Sequence, residues 1–228
     1  MRVRFPTPLK GWRVFAGEVG TIVLGVLLAL GAQEMAQALH WRKEVRETRN
    51  ALDAELSRDL AVFEFRYRQR GCVSQRVSEL RKWIAARRNG NSVRLNGAID
   101  EPPFFAIRTA AWEITDGEIA SRIPIDAKLN YAALYDGMKR YDEMKIGEAE
   151  AWATLGEYET SGPLNDDDLR TVNRALADID DTNLAIEAFK SAFDRFAGNL
   201  DIRPERNIES TAGSLMARWN RDFCKSLL

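Results

Sequence analysis

The sequence predicts an all-α protein in which an N-terminal transmembrane helix continues into a long helix that packs in an extracytoplasmic helical bundle. Three observations predict this fold. Apolar residues recur at helical intervals along most of the 228-residue chain, no alternating strand pattern persists, and the residues Val19–Gln33 form an uncharged run. The composition is that of a folded protein, with 45% hydrophobic and 29% charged residues. The net charge of −1 argues against a nucleic-acid binder, which would carry a basic excess.

The uncharged run has three interpretations: a buried soluble helix, a secretory signal peptide, or an uncleaved membrane anchor. It has 15 residues, fewer than the ~20 that a spanning helix needs. Ala29-Leu30-Gly31 offers a small-x-small cleavage site, which favours a signal peptide. Glu18 adjoins the run, however, and the stretch 32–70 contains neither Gly nor Pro. Both features are atypical of a cleaved signal and favour the anchor.

Two tryptophans support the anchor by their spacing. Trp12 and Trp41 are 29 residues apart, which is ~44 Å along a helix and close to the thickness of a bilayer with its headgroups. Tryptophan prefers the two membrane interfaces. Glu18 and Glu34 lie equally far from the midpoint at Val26. The two carboxylates would therefore lie near the edges of the hydrocarbon, which explains why the uncharged run is short.

The positive-inside rule predicts the orientation of this anchor. The residues before the run include four cations and no acid until Glu18, whereas the residues after it mix both signs. This contrast places the N-terminus in the cytoplasm and the remainder in the periplasm, so we expect a single-pass protein of the bacterial inner membrane. The predicted domains are a cytoplasmic basic tail at 1–12, a transmembrane helix at 13–36 and a periplasmic helical domain at 37–228.

An apolar stripe continues beyond the span and predicts a long helix. Its residues recur mostly at steps of three, four and seven: Trp41, Val45, Leu52, Leu56, Leu60, Phe63, Tyr67, Val73, Val77, Leu80 and Ile84. Gly71 either kinks this helix or passes through it. Asn89-Gly90 predicts its end, followed by a loop over 89–103.

Four further helices are predicted, over about 106–121, 126–159, 165–199 and 207–227. Pro124 ends the first of them and opens the second. Asn165, followed by three aspartates, predicts a helix start, because acids there meet the positive end of the helix dipole.

Several of these segments resemble a known group of proteins. They are the block Gly17–Leu30, the pair Trp41-Arg42, the stretch Ala51-Leu52-x-x-Glu55-Leu56 and Thr109-x-x-Trp112. Together they resemble uncharacterised proteobacterial proteins with one N-terminal transmembrane helix and a helical domain of unknown function. The resemblance implies an anchored helical fold. It implies no activity and no catalytic residues.

The sequence predicts no catalytic, cofactor-binding or metal-binding residues. His40 is the only histidine, and no nucleophile motif such as G-x-S-x-G accompanies it. Asp178, Asp180 and Thr182 only loosely follow a calcium loop, because Asn183 stands where that loop needs glycine. A basic patch around Trp83 is interpreted as a solvated helix end: Arg81, Lys82, Arg87 and Arg88. Four aromatic residues at helical spacing are interpreted as core residues: Tyr131, Tyr135, Trp152 and Tyr158.

The two cysteines, Cys72 and Cys224, are predicted to form a disulfide that ties the last helix to the long helix. In an oxidising compartment such a pair tends to bridge. The alternative is two buried free thiols.

A stripe of small residues predicts that the membrane helix packs on another helix. Gly17, Thr21, Gly25 and Ala29 recur every four residues, and Glu18 borders them. Small-x-x-x-small stripes let two helix backbones approach closely in a bilayer, and a carboxylate at that depth is usually paired. The expected partners are the lipid bilayer and a second transmembrane helix, from a homodimer or another protein.

Three functions are compatible with this sequence. The first is a non-enzymatic envelope protein that acts as an accessory subunit or scaffold, and it is the one we expect. The second is a periplasmic ligand-sensing domain that signals through a partner, since no second apolar run exists. The third is a carboxylate-dependent envelope enzyme, for which Glu113 and Asp116 are the candidate acids.

Overall fold

The computed structural model describes residues 11–91, 93–115, 117–206 and 213–228. These residues form seven helices: α1 (Trp12–Arg68), α2 (Arg70–Arg88), α3 (Ala110–Glu113), α4 (Gly117–Arg122), α5 (Ile125–Glu157), α6 (Asp166–Leu200) and α7 (Gly213–Phe223). The described parts of the chain contain no β-strand. The predicted all-α class and the long N-terminal helix are therefore confirmed.

The chain divides into two compact units, residues 1–48 and 49–228. In the first unit, the described residues from Trp12 onward belong to α1. This part of α1 is long and apolar enough to cross a membrane, and none of its most apolar stretch is buried. Its large apolar side chains stand exposed, as with Ile22 (67%) and Leu28 (66%). The predicted boundaries after residues 12 and 36 stay predictions.

The second unit has its core between α2, α5 and α6. Helices α5 and α6 pack along each other, and α6 also packs on α2. The core residues come from these three helices, from the loop after α2 and from the C-terminus: Val73, Val77, Leu80, Trp152, Leu155, Val172, Leu176, Ile179, Ile99, Phe223 and Leu227. The stripe predicted on α1 is buried from Leu52 to Phe63.

The interruption between α1 and α2 lies at Gln69 rather than at Gly71. Gln69 keeps a near-helical backbone, with φ −78° and ψ −6°. Its side-chain Nε2 donates to Pro103 O at 3.1 Å and to Asn220 Oδ1 at 2.9 Å. Gly71 passes through α2, where an added Cβ would meet no neighbour within 4 Å. The predicted end at Asn89-Gly90 is confirmed, and Gly90 adopts the positive φ of 78° that glycine tolerates.

Helix α6 begins as the sequence predicts. The Asn165 side chain accepts hydrogen bonds from the backbone N–H groups of Asp167 and Asp168 at 2.8 and 2.9 Å. The Asp168 carboxylate accepts the Asn165 N–H in return, at 2.9 Å. This reciprocal capping box satisfies donors that the first helical turn would leave free.

The helix predicted over 106–121 is confirmed only in part. Residues 93–109 have no regular secondary structure where described, and only the short helices α3 and α4 follow. We call residues 93–109 the strap. Phe105 and Ile107 of the strap pack on Ala61 and Val62 of α1, and charged side chains bind its backbone. These contacts hold the strap in an irregular conformation, which tertiary context can impose against a local helical pattern.

The last predicted helix, 207–227, is partly corrected. Helix α7 ends at Phe223, and the next residues continue without helical structure. Residues 207–212 lie outside the described part of the chain.

Gly137 offers a test of the packing between α5 and α6. A Cβ added there would lie 2.6 Å from Cε1 of Phe193, which is buried. We expect Gly137→Ala to lower the free energy of unfolding by about 1–3 kcal/mol, because an overpacked core shifts side chains or backbone. The measurement is urea unfolding monitored by circular dichroism.

Gly147→Ala is the matched control in the same helix. A Cβ at Gly147 would meet no atom within 4 Å. Since alanine is the better helix former, the free energy of unfolding of this variant should be higher by about 0.5–1 kcal/mol. Equal effects of the two substitutions would contradict the close approach of Phe193 to α5.

Candidate functional site

Buried charged and amide side chains are the most unusual feature of the second unit. Among the described residues, seven such side chains are buried: Asp59, Arg66, Gln69, Arg76, Glu79, Lys145 and Glu148. Groups of this kind are rarely buried unless they are paired. They are therefore the candidates for a functional site in this unit.

Four of the seven bind the backbone of the strap. Gln69 donates to Pro103 O as described above, Arg76 Nη1 donates to Ala98 O at 3.0 Å, and Lys145 Nζ donates to Phe105 O at 2.9 Å. Asp59 accepts from the strap instead of donating to it. Backbone groups that pack against the core and belong to no helix or sheet need such partners. These side chains supply them, while much of the strap is otherwise exposed.

Asp59 is completely inaccessible to solvent. The Arg108 N–H approaches its two carboxylate oxygens at 3.2 and 3.1 Å, and Arg58 Nη1 lies 2.9 Å from Oδ1. Burial raises the pKa of Asp59 to about 7, because the loss of hydration outweighs the hydrogen bonds from Arg108 and Arg58 that favour the ionised form. The nearby Glu55 carboxylate raises the pKa further.

Glu55 lies one helical turn before Asp59 and completes a polar cluster. It accepts the Ala111 N–H at 3.1 Å and the Tyr135 hydroxyl at 2.9 Å. Burial and this hydrogen bond both hold the pKa of Tyr135 well above its usual range. Trp112 stacks on Tyr135 with ring centroids 5.2 Å apart. Two carboxylates on one face of α1 thus fix the end of the strap and the start of α3.

Arg66 and Glu148 bind each other and form a buried ion pair. Arg66 Nη2 lies 2.6 Å from Glu148 Oε1, and Arg66 Nε lies 3.1 Å from Oε2. The side chains are only 1% and 2% exposed. Trp152 Nε1 also points at Glu148, at 3.4 Å. The bidentate geometry and the burial make this pair a link between α1 and α5.

The C-terminal segment, residues 216–228, is fixed on α2 by Glu79, the last of the seven groups, and by Arg76. Glu79 accepts the Leu227 N–H and the Ser226 hydroxyl, each at 2.7 Å. Arg76 Nε donates to Phe223 O, in addition to the strap contact. Burial alone would raise the pKa of Glu79, but the hydrogen bonds from Gln75, Leu227 and Ser226 outweigh it and hold the pKa below its usual range.

The cysteines predicted to pair lie at this same place. The sulfur atoms of Cys72 and Cys224 are at disulfide distance, and their Cα atoms are 4.9 Å apart. This spacing lies within the range that a disulfide requires. The link would join the start of α2 to the residue after α7.

The histidine and the two candidate acids from the sequence are exposed or lie outside the described part of the chain. His40 is exposed, 3.9 Å from Glu44 and beside the Trp41 ring. Glu113 is exposed and accepts the Thr109 hydroxyl at 2.6 Å, while Asp116 lies outside the described residues. Within the described ranges, no group of three or more His, Cys, Asp or Glu side chains is placed to hold a metal ion.

Two of the four cations of the basic patch on α2 are engaged by the protein itself. Arg81 pairs with Asp180 at 2.5 Å. Arg87 donates to the carbonyls of Tyr158, Ser161 and Gly162, which follow the end of α5. Cations at that end of a helix are favourable. Lys82 and Arg88 are exposed, as expected of a solvated helix end, whereas Arg81 and Arg87 are not simply solvated.

Sequence reasoning missed the buried charges, although a signal for them exists. Asp59 and Arg66 fall at helical spacing on the face that also carries Leu56 and Phe63. Arg76 falls likewise beside Val73, Val77 and Leu80, and Lys145 and Glu148 fall between Tyr141 and Trp152. A charge in register with an apolar stripe predicts a buried, partnered group.

Comparison of the chain with protein-family models, curated proteins and solved structures gives no match. The resemblance to the proteobacterial group therefore stays a prediction. The contacts within this chain therefore carry what can be inferred about its function.

Asp59 gives a test of the strap's attachment. A group with a raised folded-state pKa stabilises the fold fully below its unfolded pKa, near 3.8, and this stability is lost as pH rises through about 7. Asp59 alone should lower the free energy of unfolding by about 1.4 kcal/mol per pH unit in that window. Asp59→Asn removes this titration, so urea unfolding of the variant between about pH 5 and 7 should depend less on pH.

Asp178→Asn is the control for this experiment, because Asp178 is exposed on α6. It should keep the pH dependence of the unsubstituted protein. The same pH dependence in both variants would show that Asp59 ionises as easily in the folded protein as in the unfolded chain.

Proposed function

We propose that this chain is a non-enzymatic, single-pass envelope protein of the bacterial inner membrane that acts as an accessory subunit or scaffold. It holds partners through a transmembrane helix at 13–36 and through the surface of a periplasmic helical domain. The observation that carries the proposal is the contrast between the two units. The first exposes an apolar helix, and the second uses its buried charges to bind its own backbone.

The exposed apolar side chains support a membrane role for the first unit. Leu24, Leu27 and Leu28 are each more than half exposed in the isolated chain. Burying such a side chain contributes about 1.5–3 kcal/mol, and a bilayer supplies that burial on every side of the helix. The basic residues before the run favour a cytoplasmic N-terminus.

The engaged carboxylates favour a non-enzymatic role for the second unit. A general acid or base must reach a substrate proton. Asp59, Glu79 and Glu148 are buried, and each is hydrogen-bonded to groups of the same chain. Their chemistry serves the fold, which leaves binding surfaces as the means of function.

The small face of the membrane helix supports a helical partner. A Cβ added at Gly17 or Gly25 would meet no atom within 4 Å, so this face is open to close approach. The Thr21 hydroxyl donates to Gly17 O at 3.0 Å and needs no other partner. With Ala29, these residues form the proposed interface, and Glu18 at its border would meet a polar group of the partner helix.

The topology is testable with alkaline phosphatase, which is active only outside the cytoplasm. We expect a fusion after Leu228 to be active and a fusion after Lys10 to be inactive, because positive residues stay in the cytoplasm. Enzyme activity is measured in intact cells, and protein amount is measured by immunoblot. A stable but inactive Leu228 fusion would reverse the orientation, and a mature chain starting near Ala32 would establish a cleaved signal instead.

The interface is testable with Gly25→Ile, which puts a branched side chain on the small face. We expect it to reduce association of the full chain in a membrane two-hybrid or crosslinking assay, because the backbones can no longer approach. Leu27→Ile, which keeps side-chain volume, is the control and should leave association unchanged. Unchanged association in Gly25→Ile, or equal loss in both, would contradict the proposed interface. The mass of the crosslinked product distinguishes a homodimer from a complex with another protein.

A further inference from the structure

The C-terminal segment is joined to α2 by one potential covalent link and by a set of non-covalent contacts around it. We propose that Cys72–Cys224 is a thiol-exchange site and that the segment is a redox latch. With the disulfide closed, the segment stays docked on α2. When a dithiol reductant cleaves the disulfide, the segment undocks reversibly and the core beneath it becomes accessible.

Two apolar side chains seat the segment. Phe223 and Leu227 are buried at 2% and 1% exposure. The Phe223 ring packs edge-on against Trp152 with centroids 5.9 Å apart, and the Arg76 guanidinium lies 4.5 Å above it. Undocking would therefore expose Trp152 and the apolar face of α2.

Polar contacts couple the segment to the strap. The Asn96 N–H donates to Leu227 O at 2.9 Å, and Gly97 lies close enough that a Cβ there would meet the Leu227 side chain at 3.7 Å. Arg76 binds Ala98 O and Phe223 O with a single guanidinium. The beginning of the strap is thus held by the segment, and both should loosen together.

We expect the rest of the second unit to stay folded when the latch opens. Helices α5 and α6 pack on each other, and α6 packs on α2. The segment contributes Phe223 and Leu227 to this core, and α7 is the one helix in the segment. Short elements with few buried contacts open with lower free energies than the core of a protein.

The disulfide is placed where a reductant can reach it. Cys72 and Cys224 are both partly exposed and pack at the edge of the core. Thiol exchange needs such access, because a thiolate must contact one of the two sulfur atoms.

The exchange itself is a two-electron step. A thiolate of the reductant attacks one sulfur of the pair, a mixed disulfide forms, and the other cysteine leaves as a thiolate and takes up a proton. The second thiol of the reductant then attacks the mixed disulfide and releases the second cysteine. The protein gains two thiols, and the reductant becomes a disulfide.

The test is hydrogen exchange followed by mass spectrometry on the full chain in detergent, before and after treatment with dithiothreitol. We expect amides in 222–228 and 93–100 to exchange about tenfold faster or more after reduction, while amides in α5 and α6 keep their protection. Reoxidation should restore the slow exchange. The double variant Cys72→Ser/Cys224→Ser is the open control and should exchange fast with or without dithiothreitol.

Glu79→Gln tests the non-covalent part of the latch. It weakens the acceptor for Leu227 and Ser226. We expect it to speed exchange of the reduced protein further while the oxidised variant stays protected. Exchange unaffected by reduction, loss of protection throughout α5 and α6, failure to recover on reoxidation, or two free thiols in the untreated protein would each overturn the proposal.

Discussion

The fold depends on one constraint: a buried backbone outside helices and sheets must find hydrogen-bond partners elsewhere. An unsatisfied buried group costs about 1–3 kcal/mol, and the strap places several carbonyls and N–H groups against the core. The partners come from α1, from the residue between α1 and α2, from α2 and from α5: Asp59, Gln69, Arg76 and Lys145. The buried polar side chains and the irregular strap therefore satisfy each other's hydrogen bonds.

The Arg66–Glu148 pair differs from these groups, because its two charged side chains bind each other rather than the strap. Removing two charges from water costs several kcal/mol per ion, which their attraction offsets only with good geometry and further hydrogen bonds. The two short contacts and the Trp152 indole supply that geometry. We interpret the pair as fixing how α1 and α5 align. A slide of one helical turn would bury both charges unpaired, and breaking a buried pair costs about 3–5 kcal/mol.

The parts of the fold that the sequence predicted well are set locally. The apolar stripe of α1, the capping box at Asn165 and the stop at Asn89-Gly90 each depend on residues a few positions apart. The loop over 89–103 was predicted, but the end of the strap, residues 106–109, was expected to be helical. This end was missed because its conformation is set by Arg58 and Asp59, about 50 positions earlier in the chain. The roles of Arg76 and Glu79 were missed for the same reason. Their partners lie in the C-terminal segment, and a charged residue on a helix is ordinarily solvated.

The energies of docking explain why a covalent link matters for the C-terminal segment. Burial of Phe223 or Leu227 stabilises the docked state by about 1.5–3 kcal/mol each, and a hydrogen bond contributes only about 0.5–1.5 kcal/mol, because water replaces it on opening. Fixing the backbone opposes docking by about 1–2 kcal/mol for each residue of the segment. Arg76 and Glu79 would become hydrated when the segment leaves, so they impose no large penalty on the open state. Because the opposing contributions add up over the whole segment and exceed what these contacts contribute, a bond between Cys72 and Cys224 has a decisive influence on whether the segment stays on α2.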